Sequence, residues 1–177
     1  MSPFSLLVIF PGIWLKVSHI DGPFPSSFTA PSARASKGRV YVILGDGEIN
    51  AGVIWEGAMT ASKYKLGNLT AILDQNGVQQ TGATADVMPL ETMADKWKSF
   101  GWAVREIDGH NVGQVLDALD YSDEVHARPC IIIAHTTKGK GVSLFEYDNR
   151  WHGAPPNKEQ YEGALRELKE ELKKWQN

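Results

Sequence analysis

Asp46 and Asn76 are the residues that most constrain what this sequence can do. Asp46 sits in Gly45-Asp46-Gly47, directly after the apolar run Val40 to Leu44, and Asn76 closes Asp74-Gln75-Asn76 after a second run, Leu69 to Leu73. A helical pattern separates the runs, so the stretch reads strand, helix, strand. Two parallel strands joined by a right-handed crossover end on the same edge of a sheet, which predicts that Asp46 and Asn76 are neighbours in space. One carboxylate and one amide oxygen at such an edge suit a hard cation, Mg²⁺ or Ca²⁺. Mg²⁺ in particular takes few protein ligands and fills its octahedron with phosphate and water. Gly45 and Gly47 let backbone approach a phosphate closely, so the stretch reads as a metal-diphosphate site. Taken alone, Gly-Asp-Gly is more often only a turn.

A second cationic stretch follows another apolar run. Cys130 to Ala134 leads into His135-Thr136-Thr137-Lys138-Gly139-Lys140-Gly141, where Lys138 is either a phosphate contact or a solvated loop lysine. The order of glycine and lysine is not that of a Walker loop. His152 lies in a loop bounded by glycine and proline. It is either exposed or placed to donate to phosphate and move a proton near neutral pH. His110, in Asp108-Gly109-His110, reads as a loop histidine that satisfies backbone rather than one that touches ligand.

The elements that must position these groups alternate along the chain. A helix is predicted from Asn50 to about Lys65, with Val53, Ile54, Gly57, Ala58, Ala61 and Tyr64 on or near one stripe, and Gly67-Asn68 stopping it. Its N-terminus faces the strand ends, where its partial positive charge favours a diphosphate. Gly77 to Leu90 reads as a loop. Helix Glu91 to Phe100 brings Met93, Trp97 and Phe100 to the core, and Trp102 to Ile107 alternates as a strand. Val112 to Val125 forms a helix carrying Val115, Leu116, Leu119 and Tyr121, and Cys130 to Ala134 is a fully apolar strand. Asn157 and Gln160 form a capping box for a last helix whose buried stripe is Tyr161, Ala164, Leu165, Leu168, Leu172 and Trp175. The alternation predicts an α/β, doubly wound, largely parallel sheet with helices on both faces. Residues 38–177 form that domain. Residues 1–37, rich in Pro, Ser and Ala after a short apolar start, read as an atypical, poorly ordered segment too short in its apolar part to span a bilayer, with a cleaved leader as the alternative.

The formal net charge of -3 carries no electrostatic footprint for nucleic acid, and no run of like charge marks a tail. The single cysteine, Cys130, excludes an intramolecular disulfide and a cysteine-based zinc site, and fits a reducing cytoplasm.

The wording around these residues closely resembles the transketolase family. Gly-Asp-Gly-Glu at Gly45, with Asn76 ending the next strand, looks like the thiamine diphosphate fingerprint. The likeness runs through WEGAM from Trp55, YKLGNL from Tyr64, LDQNG from Leu73, FGW from Phe100, EIDGHN from Glu106, HTTKGKG from His135 and WHGAP from Trp151, covering roughly Gly38 to Leu172. The resemblance implies a thiamine-diphosphate-binding fold in which Asp46, Asn76 and the backbone carbonyl of Val78 hold Mg²⁺, or Ca²⁺ in its place. It implies that Gly45, Gly47 and Lys138 hold the diphosphate, and that His152 contacts cofactor phosphate and the reacting part of a sugar phosphate. The implied reaction moves a two-carbon ketol unit between sugar phosphates, as in the pentose phosphate pathway. Two departures stand out. Family members commonly carry Glu where this chain has Ala51, near the cofactor at the subunit interface, and nothing in Met1 to Lys37 matches the longer region expected there. The resemblance further implies that the pyrimidine-binding half of the site comes from a second domain. The chain is therefore expected not to catalyse alone, but with a separate transketolase C-terminal subunit in a hetero- or homo-oligomer. A 1-deoxyxylulose-5-phosphate synthase or dehydrogenase E1 component, or a truncated non-catalytic fragment, are the alternatives.

Overall fold

The computed structural model describes residues 38–175, apart from the Trp175 side chain, and three short backbone strands before them: β1 (Ser5–Leu6), β2 (Ile9–Phe10) and β3 (Ile13–Trp14). The expected poor order of residues 1–37 otherwise falls outside the described residues. From Val40 the chain forms β4 (Val40–Gly45), a 3₁₀ turn (Glu48–Asn50), α1 (Gly52–Lys63) and β5 (Leu69–Gln75). A small hairpin, β6 (Val78–Gln79) with β7 (Gly82–Ala83), leads into α2 (Thr84–Val87) and α3 (Met93–Ser99). Then come β8 (Ala103–Asp108), α4 (Val112–Glu124), β9 (Cys130–His135), a 3₁₀ turn (Asn149–His152) and α5 (Lys158–Trp175).

The main sheet is parallel throughout, in the order β1-β4-β5-β9-β8. The path from β4 to β5 and on to β8 runs in one direction across it, and α1 and α3 cover one face. The step from β8 back to β9 reverses direction, and right-handed crossovers then require α4 to lie on the opposite face. The packing agrees. Ala58, Ala61, Met93 and Trp97 bury against Leu44, Ala71, Leu73, Ile131 and Ile133, whereas Ala118, Val115 and Leu119 pack on Ile107, Ile132 and Ala134. The sheet is doubly wound, as the alternation predicts. The central strand β9 is buried on both faces from Cys130 to Ala134, which is why its sequence is continuously apolar.

Several local expectations are corrected. Ala51 adopts an extended conformation, so the predicted Asn50 to Lys65 helix is a 3₁₀ turn followed by a helix that begins at Gly52. Its buried side is Ala58 and Ala61 with half-buried Ile54 and Trp55; Val53, Gly57 and Tyr64 are exposed, because α1 presents a narrower stripe to the sheet than the periodicity suggested. Gly77 to Leu90 is not a plain loop but contains β6, β7 and α2. Leu116 is exposed, and α4 buries Ala118 and Ser122 instead. On α5 only Ala164 of the predicted stripe is buried; Leu165 is half-buried, and Tyr161, Leu168 and Leu172 are exposed, while the Trp175 side chain lies outside the described residues. The start of α5 is as predicted: Gln160 N–H donates to Asn157 Oδ1 at 2.9 Å and Asn157 N–H to Gln160 Oε1 at 2.8 Å.

Candidate functional site

The carboxyl edge of the sheet is built from the ends of β4, β5 and β9. Gly45 is in register with Asp74, and Asp74 with Ala134, so the residues just beyond these strands emerge side by side. Asp46 leaves β4 and turns its carboxylate toward the end of β5, where Oδ2 accepts the Gly77 N–H at 2.6 Å. The sequence-predicted juxtaposition of the first and second strand ends is therefore realised. The Thr84 hydroxyl donates to the same Oδ2 at 3.2 Å.

Asp46 is 1% exposed, and its other oxygen, Oδ1, is buried with no partner. Burial pushes the Asp46 carboxyl above the ordinary carboxylate range. The Gly77 N–H, the Thr84 hydroxyl and, least of all, the Asn76 N–H act against that rise, and Asp74 adds to it. A buried carboxylate oxygen with nothing to accept from is costly unless something outside the chain completes it. A divalent cation is the partner that this oxygen and its hard neighbours suit best.

Asn76 stands beside it. Its Oδ1 accepts the Val78 N–H at 3.0 Å, a local turn that fixes the side chain, and its Nδ2 donates to Asp74 Oδ2 at 3.2 Å. Asp74 also accepts from the Thr136 hydroxyl, tying β5 to the loop after β9. Val78 opens β6, paired with Ala83 across the hairpin that carries Thr84. Among the described residues no group of three or more His, Cys, Asp or Glu side chains could hold a metal. The oxygens here are instead a lone carboxylate, an amide and backbone. Space for a ligand is present at Gly47, where an added Cβ would meet nothing within 4 Å. Glu48 folds back, its Oε2 accepting the Gly45 N–H at 2.9 Å.

Lys138 and His152 lie in the chain that follows β9. Thr136 N–H donates to the Gln75 carbonyl at 3.1 Å, which ties the start of this loop to the end of β5; Lys138, two residues on, is half-buried and without an ion pair among the described residues. His152 ends the 3₁₀ turn and is exposed. That turn is anchored to the hairpin by Asn149 Nδ2, which donates to the Gln80 carbonyl at 3.2 Å. His110 satisfies backbone, its Nε2 accepting the Thr137 N–H at 2.7 Å. Sequence reasoning missed Thr84. A threonine in a stretch read as loop carries no signal until the hairpin folds it back on Asp46.

A parallel doubly wound sheet with an acid left open between two strand ends defines an α/β domain whose carboxyl edge is built to take a ligand, an arrangement consistent with the thiamine-diphosphate-binding type. The family described as "Transketolase, thiamine diphosphate binding domain" matches residues 16–173, and the chain belongs to it. Among its relatives, a subunit of the apulose-4-phosphate transketolase of Phocaeicola vulgatus is 45% identical over 136 residues, covering 77% of this chain and 48% of that protein. The corresponding protein from Actinobacillus succinogenes is 38% identical, covering 91% and 59%. The chain thus spans about half the length of the curated relatives it matches. The crystal structure of transketolase from Campylobacter jejuni aligns with a TM-score of 0.69 at 29% identity over 74% of this chain and 20% of that one. The Pichia stipitis transketolase complex with sedoheptulose 7-phosphate aligns at 0.70 and 28%, over 78% and 20%.

Proposed function

We propose that the carboxyl edge binds thiamine diphosphate through a divalent cation, Mg²⁺ or alternatively Ca²⁺, and that the chain serves as the cofactor-binding portion of a transketolase acting on sugar phosphates. The observation that carries this reading is the buried, unpartnered Oδ1 of Asp46. Asp46 Oδ1, Asn76 Oδ1 and the backbone carbonyl of Val78 hold the cation. Thr84 and the Gly77 N–H occupy Oδ2, which leaves Oδ1 as the oxygen available to metal. Gly45 and Gly47 keep side chains out of the space for the diphosphate, and Lys138 places a positive charge beside it. His152, exposed at the rim, faces substrate and can donate to a phosphate or hold a proton at one ring nitrogen. Thiamine diphosphate, when bound, supplies the chemistry by which a two-carbon ketol unit passes between sugar phosphates.

The relatives named as transketolase subunits support a partner chain carrying the pyrimidine-binding part, so turnover belongs to the assembled complex. A cytoplasmic setting is part of the same reading. A single buried cysteine is in keeping with it, and among the described residues no helix is long and apolar enough to cross a membrane.

The test is a thiamine diphosphate titration, with and without Mg²⁺, followed by tryptophan fluorescence on the parent and on Asp46→Ala. The parent should bind only when Mg²⁺ is present. The variant should bind about 100-fold more weakly or worse, with an unchanged far-UV circular dichroism spectrum. Affinity retained in Asp46→Ala overturns the assignment.

A further inference from the structure

Asp108-Gly109-His110 joins the end of β8 to α4, away from Asp46 and Asn76 in sequence, yet Gly109 and His110 bond to the end of β9 and to the loop that carries Lys138. Asp108 Oδ1 accepts the His110 N–H at 2.9 Å, and its own N–H donates to Gln114 Oε1 at 2.9 Å, so the turn is fixed to the first turn of α4. Gly109 presses on the end of β9. Its N–H donates to the His135 carbonyl at 2.9 Å, and an added Cβ would come within 2.5 Å of Thr136 Cγ2 and 3.1 Å of Ala134 Cβ. That close approach delivers His110 to Thr137, where Nε2 accepts the backbone N–H at 2.7 Å.

The backbone leading to Lys138 is then held residue by residue. Thr136 is bonded to β5, Thr137 to His110, and the Lys138 carbonyl accepts the Tyr147 N–H at 3.1 Å. Of these three backbone bonds the middle one is made to a side chain, while the Thr136 hydroxyl is also held, by Asp74 of β5. An N–H donor at that distance requires Nε2 to be unprotonated, so the proton of the neutral ring is on Nδ1.

We propose that His110 is a positioning residue for anion binding: as a neutral acceptor it fixes the Thr137 peptide and so aims Lys138 at the cofactor diphosphate. This rests on the reading of Lys138 given above. Removing the acceptor leaves the Thr137 N–H without its partner and frees the loop to reorient, and a misplaced point charge loses affinity although it is still present.

The experiment is a double-mutant cycle on the chain, reading Mg²⁺-dependent thiamine diphosphate affinity by fluorescence and apo stability by thermal melting. His110→Leu should weaken affinity about fivefold to tenfold in the Lys138 parent and by almost nothing in the Lys138→Met background, the non-additivity expected of residues acting as one unit. His110→Gln, whose Oε1 can accept the same N–H, should restore most of the affinity. A purely packing role would not predict that rescue. Nitrogen shifts of the His110 ring should report the Nδ1–H tautomer. Additive effects, or failure of Gln to restore affinity beyond Leu, overturn the role of His110 while leaving Lys138 in place. Unchanged affinity in Lys138→Met alone instead overturns the diphosphate reading, and this proposal with it.

Discussion

Arg39 and Asp46 stand at opposite ends of β4, and the chain treats the two charges in opposite ways. At the amino edge the Arg39 guanidinium is surrounded by its own protein. Nη1 donates to the Gly67 carbonyl at 3.3 Å, and Nη2 reaches Thr70 Oγ1 at 3.4 Å, Ser122 Oγ at 3.3 Å and the Ser122 carbonyl. Nε faces Asp123 Oδ1 at 2.9 Å as an ion pair rather than a linear hydrogen bond. The group links the starts of β4 and β5 to the end of α4. At the carboxyl edge Asp46 has half of its carboxylate satisfied and the other half buried and idle. Arg39 Nε is itself buried without a hydrogen bond, but a carboxylate of the protein lies against it, whereas no ion pair among the described residues reaches Asp46. A buried polar atom left open in a native fold calls for a partner, and Asp46 Oδ1 is such an atom at the carboxyl edge.

If the edges differ in this way, damage to them should separate cleanly. The largest effect is expected at Gly67, whose added Cβ would overlap the backbone carbonyl of His126. Backbone cannot swing aside as a side-chain tip can, so Gly67→Ala should cost about 3 kcal/mol, or roughly 6–12 °C in melting temperature for a chain of this size. The folded fraction should still bind Mg²⁺ and thiamine diphosphate normally. A loss of affinity without a loss of stability would break the comparison.

Arg39→Met keeps much of the buried stem but leaves the Ser122 and Gly67 carbonyls short of a donor, and should cost about 2 kcal/mol. Thermal melting and cofactor titration check it together. The melt should fall and the dissociation constant hold. A melt unchanged within 1 °C would mean that the guanidinium's contacts are replaceable by water.

Legibility in the sequence followed the range of each interaction. Asp46 and Asn76 could be placed together because a parallel crossover constrains strand ends without knowledge of anything else, and the Asn157–Gln160 cap because its partners are three residues apart. Arg39 gave no signal. Its acceptors on Ser122 and Gly67 are brought to it only by the completed sheet and α4. Thr84 was hidden for the same reason, since its partner, Asp46, lies across a hairpin that the sequence pattern presents as loop. Periodicity failed at Val53, Leu116 and Leu168 in a different way. It reports that a residue is apolar at helical spacing, and it cannot say whether another element covers that side of the helix.

The smallest effect sharpens the comparison from the open side. Lys138 is half-buried and makes no ion pair among the described residues, so the apo fold should not depend on its charge. Lys138→Met should therefore leave the melting temperature of the cofactor-free chain where it is, the reverse of Arg39→Met. A lysine facing a diphosphate acts largely as a point charge. Its loss should weaken Mg²⁺-dependent thiamine diphosphate binding about tenfold at low ionic strength, equivalent to about 1.4 kcal/mol. Because the group is partly exposed, added salt screens it, and the gap between variant and parent should narrow as ionic strength rises from 0.01 to about 0.15 M, where the screening length falls to about 8 Å. Titrations at several salt concentrations check both the size and the trend. A tenfold loss independent of salt would point to a packing or backbone effect. A variant that binds as tightly as the parent at low salt would place Lys138 with the solvated surface, leaving Asp46 as the one charged side chain of the open edge committed to the cofactor.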